Sequence, residues 1–422
     1  MSTRTAAAAV FFVCGLFAGQ RGVAAVADPV PAATPAPSPA PSPSPAPSPS
    51  PTPAFTFAGF GDVGYTNIAG TREARFTNGT PSRVFDGVRI PTIQTANSFS
   101  AGTIGVQQLP SSVGALSMQN LNFQATFNGR WGGKAEWSIG NDADVIASNG
   151  TDHTDHVDPT QLYLQYANGP LTFIAGKFIT MAGAEVIDTP GDSNFSRSFL
   201  FGLAIPFTHT GARLTWAVNP KVSLVGGLNN GWDDILFQGK KLTAEGGLSL
   251  TPSPAVSLAV QTYNGNDCVN FINVYSCVPP FFNRMLYDTV LTVHATSALT
   301  LVGNYDNGTQ LGATLLDKTG TPVGVGAAHW SGFAGYATYQ FSPKFGATVR
   351  AESFRDGNGF RTGFAQNLNE GTATLAYAPS SPLLLRVEYR YDTSDQAVFS
   401  TSAGPGRKTQ SSFGAEAVFK FP

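Results

Sequence analysis

Charge is what this chain has least of. Only 12% of its 422 residues are Asp, Glu, Lys or Arg, about half the fraction usual in soluble domains. Lys and Arg number 25 against 27 Asp and Glu, so the formal net charge is −2. That balance excludes the basic surface a nucleic-acid partner requires, and there is no acidic tail. Methionine is scarce and long runs of helix formers are missing. Beyond the N-terminus no apolar stretch reaches the roughly 20 residues of a spanning helix, so entry into a membrane would need a closed β-barrel. No nucleophile elbow, P-loop or dinucleotide fingerprint is present. Serine, histidine and aspartate lack any local triad-like arrangement, so neither enzyme activity nor a cofactor is expected.

Glycine (46) and phenylalanine (31) are abundant, which favours many strands joined by turns. The first residues resemble a secretory signal, with Arg4, an apolar core over Ala6–Gly19, and Ala25-Val26-Ala27 before Asp28. The alternative, an uncleaved anchor, needs a longer core. Cys14 lies in the apolar core without the small-residue context of a lipoprotein. Residues 28–54 are rich in proline and uncharged after Asp28, which favours extended polyproline II and a semi-rigid periplasmic spacer. A cell-wall anchoring role is the sharper alternative. The expected organisation is a signal peptide at 1–27, the linker at 28–54 and a folded domain at 55–422.

From Phe55 onward, strand-like segments alternate with connections that are short, then long. Short ones carry turn residues: Asn128-Gly129, Asn168-Gly169-Pro170, Asn219-Pro220, Thr251-Pro252-Ser253-Pro254, Thr296-Ser297, Ser342-Pro343 and Pro379-Ser380-Ser381-Pro382. Long ones are expected at 66–116, 141–158, 179–207, 231–240, 265–283, 308–326, 356–370 and 394–410. This order predicts an all-β, transmembrane antiparallel up-and-down barrel of about sixteen strands, with short periplasmic turns and long extracellular loops.

Alternation within strands agrees. In LLLRVEYRYD, Leu383, Leu385, Val387, Tyr389 and Tyr391 share one parity, and Arg386, Glu388, Arg390 and Asp392 the other. A cation on the lipid face near mid-membrane costs about 2–4 kcal/mol, so the charged parity is expected to face a wet lumen. The same reading makes Arg213, Glu245, Arg284, Asp288, Arg350, Glu352 and Glu416 pore-lining. Lys177 and the glycine-rich first strand fit the pattern poorly. A soluble β-domain with one solvated face is the competing reading.

Gly176–Trp216, together with Asn229-Asn230-Gly231-Trp232-Asp233, resembles the OmpL-like family of β-barrel porins of bacterial outer membranes. The resemblance rests on Gly176-Lys177-Phe178, Asn194-Phe195-Ser196-Arg197-Ser198 and Ile205-Pro206-Phe207-Thr208-His209-Thr210-Gly211, and extends more loosely from Phe57–Tyr65 to the C-terminus. It implies an outer-membrane pore and no enzyme activity. One departure is Pro422 after Phe421, where such barrels commonly end on an aromatic residue.

Expected partners are outer-membrane lipid, small hydrophilic solutes, the barrel-assembly machinery and a second copy of the chain. A structural tether or adhesin, and less so an outer-membrane hydrolase, are the alternatives. Loop 141–158 gathers Asp142, Asp144, Asp152, His153, Asp155, His156 and Asp158. Its spacing matches no EF-hand and no H-E-x-x-H helix, so a solvated loop without a metal site is expected, with weak divalent-ion binding at the cell surface as the alternative. Cys268 and Cys277 share one loop in a disulfide-permissive compartment and are expected to staple it. The loop at 179–207 carries Glu185, Asp188, Asp192 and Arg197, then the apolar Phe199, Leu200, Phe201, Leu203 and Ile205. An apolar end is costly in water, so the loop is expected to fold inward as a constriction opposite Arg350, Arg386 and Arg390. An outward loop used in packing is the other possibility.

Overall fold

The computed structural model describes residues 55–68, 115–148, 156–237, 241–268, 271–273, 276–277, 280–401 and 404–422. The segments read above as signal (1–27) and linker (28–54) fall outside these residues, as does most of the first long loop. In chain order the strands are β1 (Phe55–Ile68), β2 (Ala115–Phe127), β3 (Trp131–Ile139), β4 (Val157–Asn168), β5 (Leu171–Ile179), β6 (Thr208–Asn219) and β7 (Val222–Asn229). They continue with β8 (Thr243–Ser253), β9 (Val256–Cys268), β10 (Phe271–Asn273), β11 (Ser276–Cys277), β12 (Phe281–His294) and β13 (Leu299–Leu316). The remainder are β14 (Pro322–Ser342), β15 (Phe345–Asp356), β16 (Gln366–Ser380), β17 (Leu383–Ser394), β18 (Phe399–Thr401), β19 (Gly404–Arg407) and β20 (Thr409–Phe421).

Sixteen of these close into one antiparallel barrel. Strand β20 returns to pair with β1, Gly59 opposite Phe421, so no sheet edge is left to be satisfied in lipid. The pairs β10–β11 and β18–β19 form small separate sheets. The parity split in β17 is sharp: Tyr389 is 53% exposed, whereas Arg390 is fully covered. Outward Leu385, Val387, Tyr389 and Tyr391 suit a lipid solvent, and their charged neighbours face the interior.

Three sequence expectations change in detail. The connection expected at 308–326 is only the turn 317–321, because β13 and β14 pair on to Leu316 and Pro322. Loop 141–158 is not simply solvated: Asn141–Ile146 form a short helix, α1, whose six residues are all buried. Asp144 there lies 2.6 Å from Nδ1 of His156; Asp152, His153 and Asp155 lie outside the described residues. Lys177 also finds its place, buried and donating to both oxygens of Asp158 at 2.9 and 3.1 Å. The side chains of Cys268 and Cys277 lie outside what the structure describes.

The interior is not uniformly polar. Leu286, Trp330, Phe354 and Leu368 are buried at inward positions of β12, β14, β15 and β16. They cluster with Phe199, Leu200, Phe201, Leu203, Ile205 and Phe207. The apolar end of the 180–207 connection therefore packs inside the barrel, where burying it removes the cost of exposing it to water. Glycine makes room for this packing. A Cβ at Gly332 would stand 2.5 Å from Cδ1 of Leu200, and one at Gly414 would stand 2.5 Å from Cδ1 of Phe195.

Candidate functional site

Residues 180–207 cross the barrel as irregular backbone broken by a 3-10 turn (Thr189–Gly191) and a π turn (Leu200–Ala204). At membrane depth such a chain needs partners for its own N–H and C=O groups, since lipid offers none. Here the wall side chains supply them. Glu388 accepts from the backbone N–H groups of Phe195 (2.8 Å) and Ser196 (3.0 Å). Glu352 does the same for Phe199 and Leu200, both at 2.6 Å. Arginines serve the carbonyls: Arg350 donates to Ser196 O at 2.7 Å, Arg390 to Arg197 O at 2.7 Å, and Arg386 to Thr189 O at 3.2 Å and to Asp192 O. At the far end, Trp330 Nε1 donates to Ala204 O (3.1 Å) and Arg361 Nε to Leu203 O (2.5 Å).

The wall groups are also paired with one another. Arg350 bridges Glu370 and the loop's Glu185, each at 2.6 Å. Arg390 meets Asp392 at 2.6 Å and Glu370 at 3.3 Å, and Arg386 meets Glu416 at 2.8 Å. Within the loop, Arg197 pairs with Asp192 and donates to Ile187 O at 3.0 Å. Glu185 also accepts from Ser198 N at 2.8 Å. Such charge-assisted bonds are roughly twice as strong as neutral ones.

Four residues expected to line the pore stand apart from this ladder. Arg213 and Glu245 pair at 2.6 Å, with the guanidinium over the ring of Phe178. Arg284 meets Asp267 at 3.2 Å and lies over Trp232. Asp288 accepts from Asn304 at 2.8 Å and stands opposite Asp306 in the register. All eleven residues expected at the pore wall are inward and buried, and seven of them (Arg350, Glu352, Arg386, Glu388, Arg390, Asp392, Glu416) belong to the loop-clamping ladder.

Asp188 faces a different wall. Its Oδ2 accepts from Gln124 Nε2 at 2.8 Å. Nearby, Glu136 pairs with Lys134 at 2.5 Å and accepts from Asn122 (3.0 Å) and Gln161 (2.6 Å). Burial, reinforced by the Glu136 carboxylate, pushes the Asp188 carboxyl up to about 7. Burial does the same to Asp192, to about 7, against the opposing pull of Arg197. A cavity of about 560 Å³ opens here between the loop and strands β1, β2 and β20.

Sequence reading missed Glu370, Lys134, Glu136, Gln124 and Trp330. The first four lie on the polar parity of their strands, so the alternation contained them. The signal for the docking patch was the set of bulky apolar residues, Leu286, Trp330, Phe354 and Leu368, on a parity otherwise polar.

Among solved structures, the outer-membrane channel DcaP of Acinetobacter baumannii is 13% identical, with a TM-score of 0.54, over 87% of this chain and 97% of that one. A loop L8 deletion mutant of OmpT from Vibrio cholerae matches at 11% identity and a TM-score of 0.54, over 87% and 100%. An anion-selective porin from Comamonas acidovorans matches at 9% and 0.53, over 87% and 99%. These likenesses establish the shared barrel fold. No curated protein sequence matches the chain. The family model described as "Putative beta-barrel porin-2, OmpL-like" matches residues 92–421. With a clamped loop inside a closed sixteen-strand barrel, the chain belongs to this OmpL-like porin family of the outer membrane.

Proposed function

We propose that the barrel passes small hydrophilic solutes and ions by passive diffusion, narrowed by the loop at 180–207. The observation that carries this reading is the backbone ladder from Glu352, Glu388, Arg350, Arg386 and Arg390, which holds the loop against one side of the lumen. In this reading those five groups position the loop. Contact with permeating ions falls to Asp188, Lys134 and Gln124, beside the buried Glu136, where both signs meet and give weak selectivity. The chain acts as a channel without catalysis. Residues 1–27 direct export, 28–54 form a periplasmic spacer, and a Cys268–Cys277 disulfide staples one external loop. OmpT of Vibrio cholerae is known in a trimer form, and a homo-oligomer embedded in outer-membrane lipid by the assembly machinery fits here too.

A second reading, a barrel serving as a structural tether, draws on how completely the interior charges are covered. Planar-bilayer recording of the purified, folded protein separates the two. Discrete, ohmic conductance steps support the porin; a folded barrel that inserts without conducting supports the tether.

A further inference from the structure

The cavity between the loop and the wall has the makings of a solute site. Its volume, about 560 Å³, falls within the roughly 300–1,000 Å³ typical of small-molecule pockets. Phe60, Ile179, Val186, Ile187 and Pro190 give it an apolar lining. Two groups of opposite charge border it: Asp188 from the loop and Lys420 from β20. Oδ2 of Asp188 is held by Gln124 at 2.8 Å, and the carboxyl is hydrogen-bonded to Glu136 as well, so it is fixed at the cavity wall. Lys420 is exposed at the short-turn end of its strand.

We infer that this cavity is a subsite for apolar zwitterions of the amino-acid class, with the ammonium group on Asp188, the carboxylate on Lys420 and the side chain against the apolar lining. A solute of one charge sign would leave one of the two groups unanswered, and a purely polar solute would leave the apolar wall wet. A role of the subsite in transport rests on the porin reading; binding itself does not. The groups facing Asp188 are Glu136 and Lys134 of β3, Gln124 of β2 and Lys420 of β20. Because the Asp188 carboxyl sits at about 7, an ammonium ligand should bind more tightly once it is ionised, rising roughly thirtyfold from pH 5.5 to 8.5.

Calorimetric titration of the detergent-folded barrel provides the test, with L-phenylalanine, phenethylamine (no carboxylate) and phenylpropionate (no amine) as probes. L-phenylalanine is expected to bind best, by about tenfold over either relative. Asp188→Asn should abolish its advantage over phenylpropionate, and Lys420→Gln its advantage over phenethylamine. Lys420 is exposed, so its variant should keep the folded barrel even where the loop variant does not. Equal affinity for the three probes, or unchanged L-phenylalanine binding in Lys420→Gln, overturns the inference. Conductance in planar bilayers is read separately: a conducting barrel that binds no probe removes the subsite and leaves the porin, and a binding barrel that never conducts does the reverse.

Discussion

Nη1 of Arg350 on the barrel wall lies 2.6 Å from Oε1 of Glu185 in the inward loop, 165 residues apart in sequence. Arg350 also holds Glu370 at 2.6 Å and the carbonyl of Ser196 at 2.7 Å. Removing one member of a buried pair costs about 3–5 kcal/mol, because the other charge is left uncompensated. Arg350→Leu should therefore release the loop while the barrel, closed by its own ladder, stays folded. Larger and noisier single-channel currents from a still folded barrel are expected. Wild-type conductance would show that the pair does not restrain the loop.

The two carboxylate clamps offer a graded test. Glu352 and Glu388 each accept two successive backbone N–H groups, and hydrogen bonds to charged groups contribute about 1.5–3 kcal/mol each. Alanine at either position leaves two buried N–H donors without partners, whereas glutamine keeps one good acceptor. Protease cleavage within 180–207 should rise in the order wild type, glutamine, alanine. A glutamine variant as cleavable as alanine would mean that the charge, and not the acceptor geometry, holds the loop.

pH should act through Asp188 and Asp192. Both carboxyls rise from the ordinary 3.8 to about 7, by burial first and by Glu136 or Glu185 next. The sign follows from the raised value. Below about pH 4 each group is protonated whether the loop is docked or not. As pH climbs towards 7 the undocked loop ionises first, so docking weakens and then levels off above 7. Across the same range the pore gains negative charge, and reversal potentials should move towards cation preference between pH 6 and 8. Replacing Asp188 and Asp192 together with asparagine should flatten that shift and move selectivity towards anions. An unaltered pH profile in the double variant would remove these carboxylates from the ion path.

Orientation is open to a direct test. Tags inserted at Gly357, in the connection between β15 and β16, should be reached by antibody on intact cells. Tags at Ser342-Pro343, where β14 turns into β15, should be reached only after permeabilisation. Equal labelling at both places would overturn the assignment of long loops to the outside.

What the sequence determined by itself is the barrel. Period-two alternation forces Arg386, Glu388, Arg390 and Asp392 onto one face, and the penalty for charge in lipid decides which face that is. The regular order of short and long connections then sets the strand number, because each strand crosses the membrane once. Its errors were local: the turn at 317–321 looked longer because Gly312, Gly320 and Gly324, all at positive φ, resemble loop residues inside a continuing hairpin. Only the tertiary structure decided what the inward charges do. Arg350 and Glu352 look like pore lining from their parity alone, yet their partners are Glu185, Ser196, Phe199 and Leu200, some 150 residues earlier. Parity says which way a side chain points, and says nothing about which distant backbone arrives there needing a hydrogen bond. The same limit hid Asp188 beside Glu136 and Gln124, since that meeting exists only after a closed barrel has given the loop an inside to fold into.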